Sequence, residues 1–258
     1  MKTQFLTKKL CSAALLAAIC CTLPLTGMAA SAHSHAAKAS PKTTAQATNQ
    51  TQDYEALSQL VLWERQAKVR KLQTELADCY WPDATVTTSW TAGPVSDYLK
   101  AGAAQKNRAE ASAQERILNR SSAPIIHQDG NRAYVELPTD GIHWIKVNGE
   151  DAVWTSQMRL IYRCEKRDGV WKISDLTSIF EADKLEPVVP GTDLHINPKD
   201  VEGLRPSYRW LAYVRKQAGG QVSNDMTGTD RPDEVNRIYQ MDETWLHGGK
   251  LDTTQIVK

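Results

Sequence analysis

The chain has 258 residues, with 31 Lys and Arg set against 30 Asp and Glu for a formal net charge of +1. Basic residues are interspersed with acids, so neither nucleic acid nor an anionic membrane surface is indicated as a partner. The length and the 41% hydrophobic content support one domain with a real core.

Lys2, Lys8 and Lys9 precede an apolar run from Leu10 to Leu25, and Ala29, Ala30 and Ala32 follow. This is the pattern of a secretory signal peptide, assigned to residues 1–32. The run is short and alanine-rich for a membrane span, and neither Cys20 nor Cys21 has the small residue before it that a lipoprotein site wants. The expectation is a secreted or periplasmic protein, free of the membrane once cleaved. Residues 33–52 are polar or small and are read as a flexible leader. The main domain is assigned to 53–183, a C-terminal extension to 184–248 and a disordered tail to 249–258.

Leu57, Leu60, Val61, Trp63, Glu64, Ala67, Val69, Leu72 and Leu76 recur every three to four residues, predicting an amphipathic helix capped by Asp53 and bent around 68–71. Pro82 and Asp83 signal a turn before a short strand over 85–90. Helical spacing returns over 95–117 with an interruption at Gly102. Strands follow at 124–127 and 133–137, joined by Asp129-Gly130-Asn131, and at 142–147, closed by Asn148-Gly149.

The two runs 153–163 and 170–180 flank Asp168-Gly169 and read as a long β-hairpin. On its first strand Val153, Thr155, Gln157, Arg159 and Ile161 share one face, and Trp154, Ser156, Met158, Leu160 and Tyr162 share the other. Beyond Asp183 the chain is irregular, with short helices expected around 208–215 and 233–245. Helices first and an antiparallel meander after them make an α+β pattern. Cys79 and Cys164 either pair as a disulfide or serve as two small buried hydrophobes.

Trp63-Glu64-Arg65, Tyr80-Trp81-Pro82-Asp83-Ala84-Thr85-Val86, Gly130-Asn131-Arg132-Ala133 with Glu136, and Tyr162-Arg163 through Asp168-Gly169-Val170-Trp171-Lys172-Ile173 resemble the SnoaL-like branch of the nuclear-transport-factor-2-like superfamily. The resemblance implies a cone, in which a curved antiparallel sheet wraps on N-terminal helices and a C-terminal helical extension follows. It also implies a pocket between sheet and helices. In isomerase-like members a strand-one aspartate moves the proton, and that position falls here at Thr88, with the helix tyrosine at Trp63. In dehydratase-like members the first histidine falls near Asn119, and the strand of the second corresponds to Pro138–His143.

The candidate catalytic pair is therefore His143 with Asp175, or with Glu136, acting as an imidazole and carboxylate across neighbouring strands. The other reading of His143 is a half-exposed strand histidine. Arg159 either anchors an anionic group or pairs with Glu136 or Asp175. Trp63, Trp90, Tyr98 and Phe180 would wall an apolar pocket, with Thr88 and Asn119 facing it, or they belong to the core. The expected function is binding of a small, largely apolar molecule, with lyase or isomerase chemistry by proton transfer. The alternative is a non-catalytic binding module or a homodimer formed through the sheet. Neither a cofactor nor a metal site is expected.

Overall fold

A computed structural model describes residues 41–89, 91–102, 116–220 and 222–250. The expected signal peptide, most of the tail and the candidate pocket residue Trp90 lie outside the described residues.

Helix α1 spans Pro41–Val69 and so begins well before Asp53. Residues 41–52 are helical rather than a flexible leader, because Ala, Gln and Lys favour a helix even where no apolar face marks one. Asp53 is an anchor instead of a cap, accepting hydrogen bonds from Lys166 Nζ (2.7 Å), Trp171 Nε1 (2.9 Å) and Gln128 Nε2 (3.0 Å). The bend falls where the sequence places it, with Lys71 at φ 58° between α1 and α2 (Gln73–Asp78).

Strand β1 (Tyr80–Thr87) starts earlier than the proline suggested. Pro82 is tolerated because it lies in an irregular stretch between the pairings Tyr80↔Ile173 and Thr85↔Asp175. β2 (Ala92–Pro94) turns back on β1, and residues 95–102 form the helical segment α3. Ile117 is not helical but belongs to β3 (Arg116–Ser121). β4 (Ile125–Asp129), β5 (Arg132–Val147), β6 (Glu150–Arg167) and β7 (Val170–Pro187) follow. β5 runs unbroken through Pro138, since that residue sits where its neighbour changes from β4, paired with 132–136, to β3, paired with 139–144. The β5–β6 and β6–β7 turns put Asn148-Gly149 and Asp168-Gly169 all at positive φ, as a tight two-residue hairpin requires.

The strand order is β2-β1-β7-β6-β5-β3, with β4 also on β5, and only the β1–β7 pair is parallel among the described strands. The inner face of this curved sheet packs Val135, Leu137, Leu160, Tyr162, Ile173 and Leu176 against Leu57, Val61 and Ala67 of α1. The extension covers both faces. After α4 (Pro198–Val201) and a 3₁₀ turn (Pro206–Tyr208), α5 (Arg209–Gln217) lays Leu211 and Ala212 over Phe180 on the inner face. The chain then crosses the free edge of β7, where Phe180 N donates to Thr227 O and Thr229 N donates to Phe180 O. Helix α6 (Pro232–Leu246) packs Ile238 and Leu246 on Tyr134, Ile161 and Ile179 of the outer face.

The crossing is pinned by Arg205, which donates to both Asp230 oxygens (2.8 and 2.6 Å) and to the carbonyls of Asn224 and Met226. Cys79 and Cys164 are separate buried thiols, with Cys79 Sγ 3.3 Å from Glu75 O.

Candidate ligand site on the inner face

Helical periodicity places Leu57, Val61, Glu64, Arg65 and Lys68 on one stripe of α1, so the buried face of this helix turns from apolar to charged along its length. Glu64 is fully buried and receives Tyr80 OH (2.9 Å), Tyr98 OH (3.2 Å) and Tyr162 OH (3.0 Å), with Arg65 Nη2 at 2.5 Å. Burial alone would raise its pKa, but the charges of Arg65 and Lys68 and the Arg65 and Tyr80 hydrogen bonds hold it below the usual carboxylate range. This carboxylate is held in its charged form as a structural counter-ion, and it closes the floor of the cone.

Above that floor the inner face is less tightly sealed. Lys68, Asn119, His143, Trp154, Met158 and Arg215 are only partly buried, unlike Val135, Leu137 and Leu160 beneath α1. The Lys68 ammonium lies 4.8 Å from the centre of the Tyr98 ring. Burial, then the neighbouring Arg65 charge, pulls its pKa down to about 7. His143 stacks on its cross-strand partner Trp154, with ring centroids 4.4 Å apart. Burial, then the positive charges of Lys68 and Arg215, pulls the imidazole down to about 4, so it is neutral near pH 7. Arg215 enters from α5 and donates to Ser89 O (3.4 Å), in the turn just after Thr88. A Cβ added to Gly141 would lie 3.5 Å from His143 Nε2 and 3.7 Å from Asn119 Nδ2, which places those two side chains together.

Several expected site residues therefore stand elsewhere. Asp175 pairs with Arg163 across β6 and β7 on the outer face, 3.7 Å from Arg163 Nη1, and accepts from Thr85 Oγ1. It cannot serve His143, because the two side chains point to opposite sides of the sheet. Glu136 and Arg159 share that outer face. Glu136 accepts from Tyr239 OH (2.6 Å) and contacts His127 (3.1 Å), while Arg159 bonds Glu181 (2.5 Å) and also contacts Tyr239 and, at 3.9 Å, Glu136. Tyr239 comes from α6, so the pair ties the extension to the sheet.

Trp63 is 41% exposed, one position off the buried stripe, with Arg70 5.6 Å from its ring. Tyr98 belongs to the floor, and Phe180 lies beneath Tyr208 at 5.6 Å. Of the expected set, His143 and Asn119 lie together on the inner face, and Thr88 precedes the Ser89 carbonyl that Arg215 bonds. The sequence reading missed Lys68, Arg215 and Trp154. A lysine in phase with the stripe that begins at Leu57 was the available signal, whereas nothing local marks Arg215.

A separate cleft of about 330 Å³ lies along β3, β5 and β6, with Arg120, Asp140, Gln157, Met158 and Glu181 among its lining residues. It mixes acidic and basic groups, and it lacks aromatic walls. Among the described residues no three His, Cys, Asp or Glu side chains are grouped to hold a metal ion. None of the described helices is long and apolar enough to cross a membrane.

A curved sheet wrapped on a helix, with partly buried polar side chains on its inner face, defines an α+β cone domain. The model of the SnoaL-like domain matches residues 49–177, and the chain belongs to that family. It is 26% identical over 184 residues to pea pathogenicity protein 2 of Fusarium vanettenii, covering 67% of this chain and 76% of that protein. It is 25% identical over 189 residues to the uncharacterized protein AN9274 of Emericella nidulans, covering 67% and 77%. Among solved structures, the hexachlorocyclohexane dehydrochlorinase LinA-type3 from Novosphingobium barchaimii is similar at 15% identity and a TM-score of 0.45, over 59% of this chain and 99% of that one. An NTF2-like protein with a cystatin-like fold from Novosphingobium aromaticivorans is similar at 11% identity and a TM-score of 0.43, over 55% and 90%.

Proposed function

We propose that this chain is an exported protein whose inner-face recess binds a small, largely apolar molecule bearing one electron-rich or anionic group, and that Lys68 moves a proton on it. The observation that carries the reading is the convergence of Lys68, Arg215 and His143. Both charges that act on His143 are positive, and the carboxylate on this stripe, Glu64, is shared among Arg65, three tyrosines and the charge of Lys68.

An amine that titrates near neutrality is matched to general-base work. In its neutral form Lys68 takes a proton from carbon beside a carbonyl group. The Arg215 guanidinium and a neutral His143 N–H then donate to the developing oxyanion. Elimination and isomerisation share this first step and differ in what happens to the enolate.

Two probes test the reading. Binding of 1-naphthoate, followed by calorimetry, should weaken as pH rises through about 7, because Lys68 loses its charge there. Lys68→Met should lower the affinity about tenfold at pH 6 and flatten the profile. Affinity that ignores both pH and the substitution would sink the proposal. For the chemistry, solvent deuterium should enter 2-tetralone in the presence of the protein and not with Lys68→Met. A second reading, binding without turnover, is favoured by the absence of an acid or base at Thr88 and Asn119. Binding without deuterium uptake would select it.

Export rests on the basic and apolar pattern of residues 1–32, and N-terminal sequencing of the mature protein tests it. A homodimer through the sheet would have to use strands that α6 leaves uncovered, which light scattering would reveal.

A further inference from the structure

Beneath α5 the inner face carries a second polar group of residues with a different character. Among the described residues six buried side-chain N or O atoms lack a hydrogen-bond partner, and four of them are Trp154 Nε1, Ser156 Oγ, Asp183 Oδ1 and Arg209 Nε. The register gathers them. Ser156 lies opposite Gly141 on β5 and Asp183 on β7, and Trp154 follows two positions away on the same face of β6. Asp183 Oδ2 accepts Leu211 N (2.7 Å). The Trp154 indole and the charge of Arg209, at the start of α5, also act on this carboxylate, although neither closes a hydrogen bond of full geometry with Oδ1. Buried polar atoms are nearly always paired, so four in one neighbourhood point to a group that supplies what they lack.

The chemistry of that group follows from the set. Arg209 and Asp183 balance in charge, so this end of the recess does not select an anion as the Lys68 end does. A hydroxyl donates one hydrogen bond and accepts two. Asp183 Oδ1 is an acceptor, Trp154 Nε1 and Arg209 Nε are donors, and Ser156 serves in either role. Ser156 is fully buried, and the residue opposite it has no side chain. A Cβ at Gly141 would stand 3.5 Å from both His143 Nε2 and Met158 Cε, so the imidazole and the Met158 thioether lie directly beside this position.

We infer that the recess has a hydroxyl-recognising end, where Ser156, Trp154, Asp183 and Arg209 hold a neutral ring hydroxyl of the ligand while Lys68, Arg215 and His143 face its electron-rich end. This rests on the inner-face ligand site proposed above, and it narrows the ligand to a hydroxylated ring compound.

The test compares 2-naphthol with naphthalene on the full chain by calorimetry, with the Trp154 indole N–H resonance as a local reporter. 2-Naphthol should bind at least about tenfold more tightly and shift that resonance, and Ser156→Ala should narrow the gap. Trp154→Phe, which keeps an aromatic ring beside His143 but removes the donor, should narrow it as well. Melting temperatures of both variants confirm that they fold. Equal affinity for the two probes would overturn the hydroxyl subsite and leave the inner-face site standing, as expected if the four atoms serve only an internal water. Failure of both probes to bind would overturn the ring-compound reading and the subsite together.

Discussion

Replacing Glu64 by Gln probes the floor of the cone with little change in shape. In the native protein this fully buried carboxylate faces Arg65 and three tyrosine hydroxyls, and Arg65 is itself 5% exposed. The substituted amide would keep one acceptor but turn its N–H₂ towards groups that are themselves donors, and it would leave the guanidinium buried without its counter-charge. Breaking a buried pair in this way costs about 3–5 kcal/mol. Urea melts at pH 7 should show that loss as a lower midpoint at unchanged slope.

The pH dependence gives an independent arm. The native pKa of Glu64 is depressed, so the unfolded chain binds the extra proton first, and the contribution is full above the unfolded value of about 4.3. It is lost as pH falls through the lower native pKa, and the Glu64→Gln variant should lack this part of the acid-induced loss. A cost below about 1 kcal/mol, with wild-type acid sensitivity retained, would refute the structural counter-ion role.

Three further outcomes are expected. Trp171 is 8% exposed and donates to Asp53, so Trp171→Ala should cost about 3–5 kcal/mol in urea melts, and a loss under about 1 kcal/mol would place the indole on the surface. At Gly228 an added Cβ would lie 2.5 Å from Asp230 Oδ1 and 2.8 Å from Ser207 Cβ, so Gly228→Ala should destabilise by about 1–3 kcal/mol and speed proteolysis of the extension. Wild-type proteolysis rates in that variant would mean that the crossing is not tightly held. Burial pushes the Cys79 thiol up to about 12 and Cys164 higher still, so alkylating reagents at pH 8 should modify both only after denaturation. Mass mapping that finds the two joined would contradict the free thiols.

Local chemistry was legible wherever it decides conformation by itself. Asn148-Gly149 and Asp168-Gly169 tolerate the positive φ that a tight hairpin demands, so the turns and the central β6–β7 hairpin could be read directly. The alternation of side chains along β6 also held, with Trp154, Ser156, Met158, Leu160 and Tyr162 on one face and Arg159 and Ile161 on the other. Period two says which residues share a face. It does not say which face meets α1, and the polar residues on both sides left that open.

The tertiary structure decided the rest. Asp175 and Glu136 looked like partners for His143 because neighbouring strands bring them near in register, yet they point away from it through the sheet. Arg215 is far from Lys68 in sequence and reaches His143 only because α5 folds over the inner face. The extension can reach both faces because the β7 edge is free where β1 ends, and there the chain crosses at residues 227–229. Turn geometry and side-chain alternation arise from the chain's own dihedral angles, so sequence alone determined them. The convergence of Lys68, His143 and Arg215 depends on how separate elements pack, and no local pattern carries that.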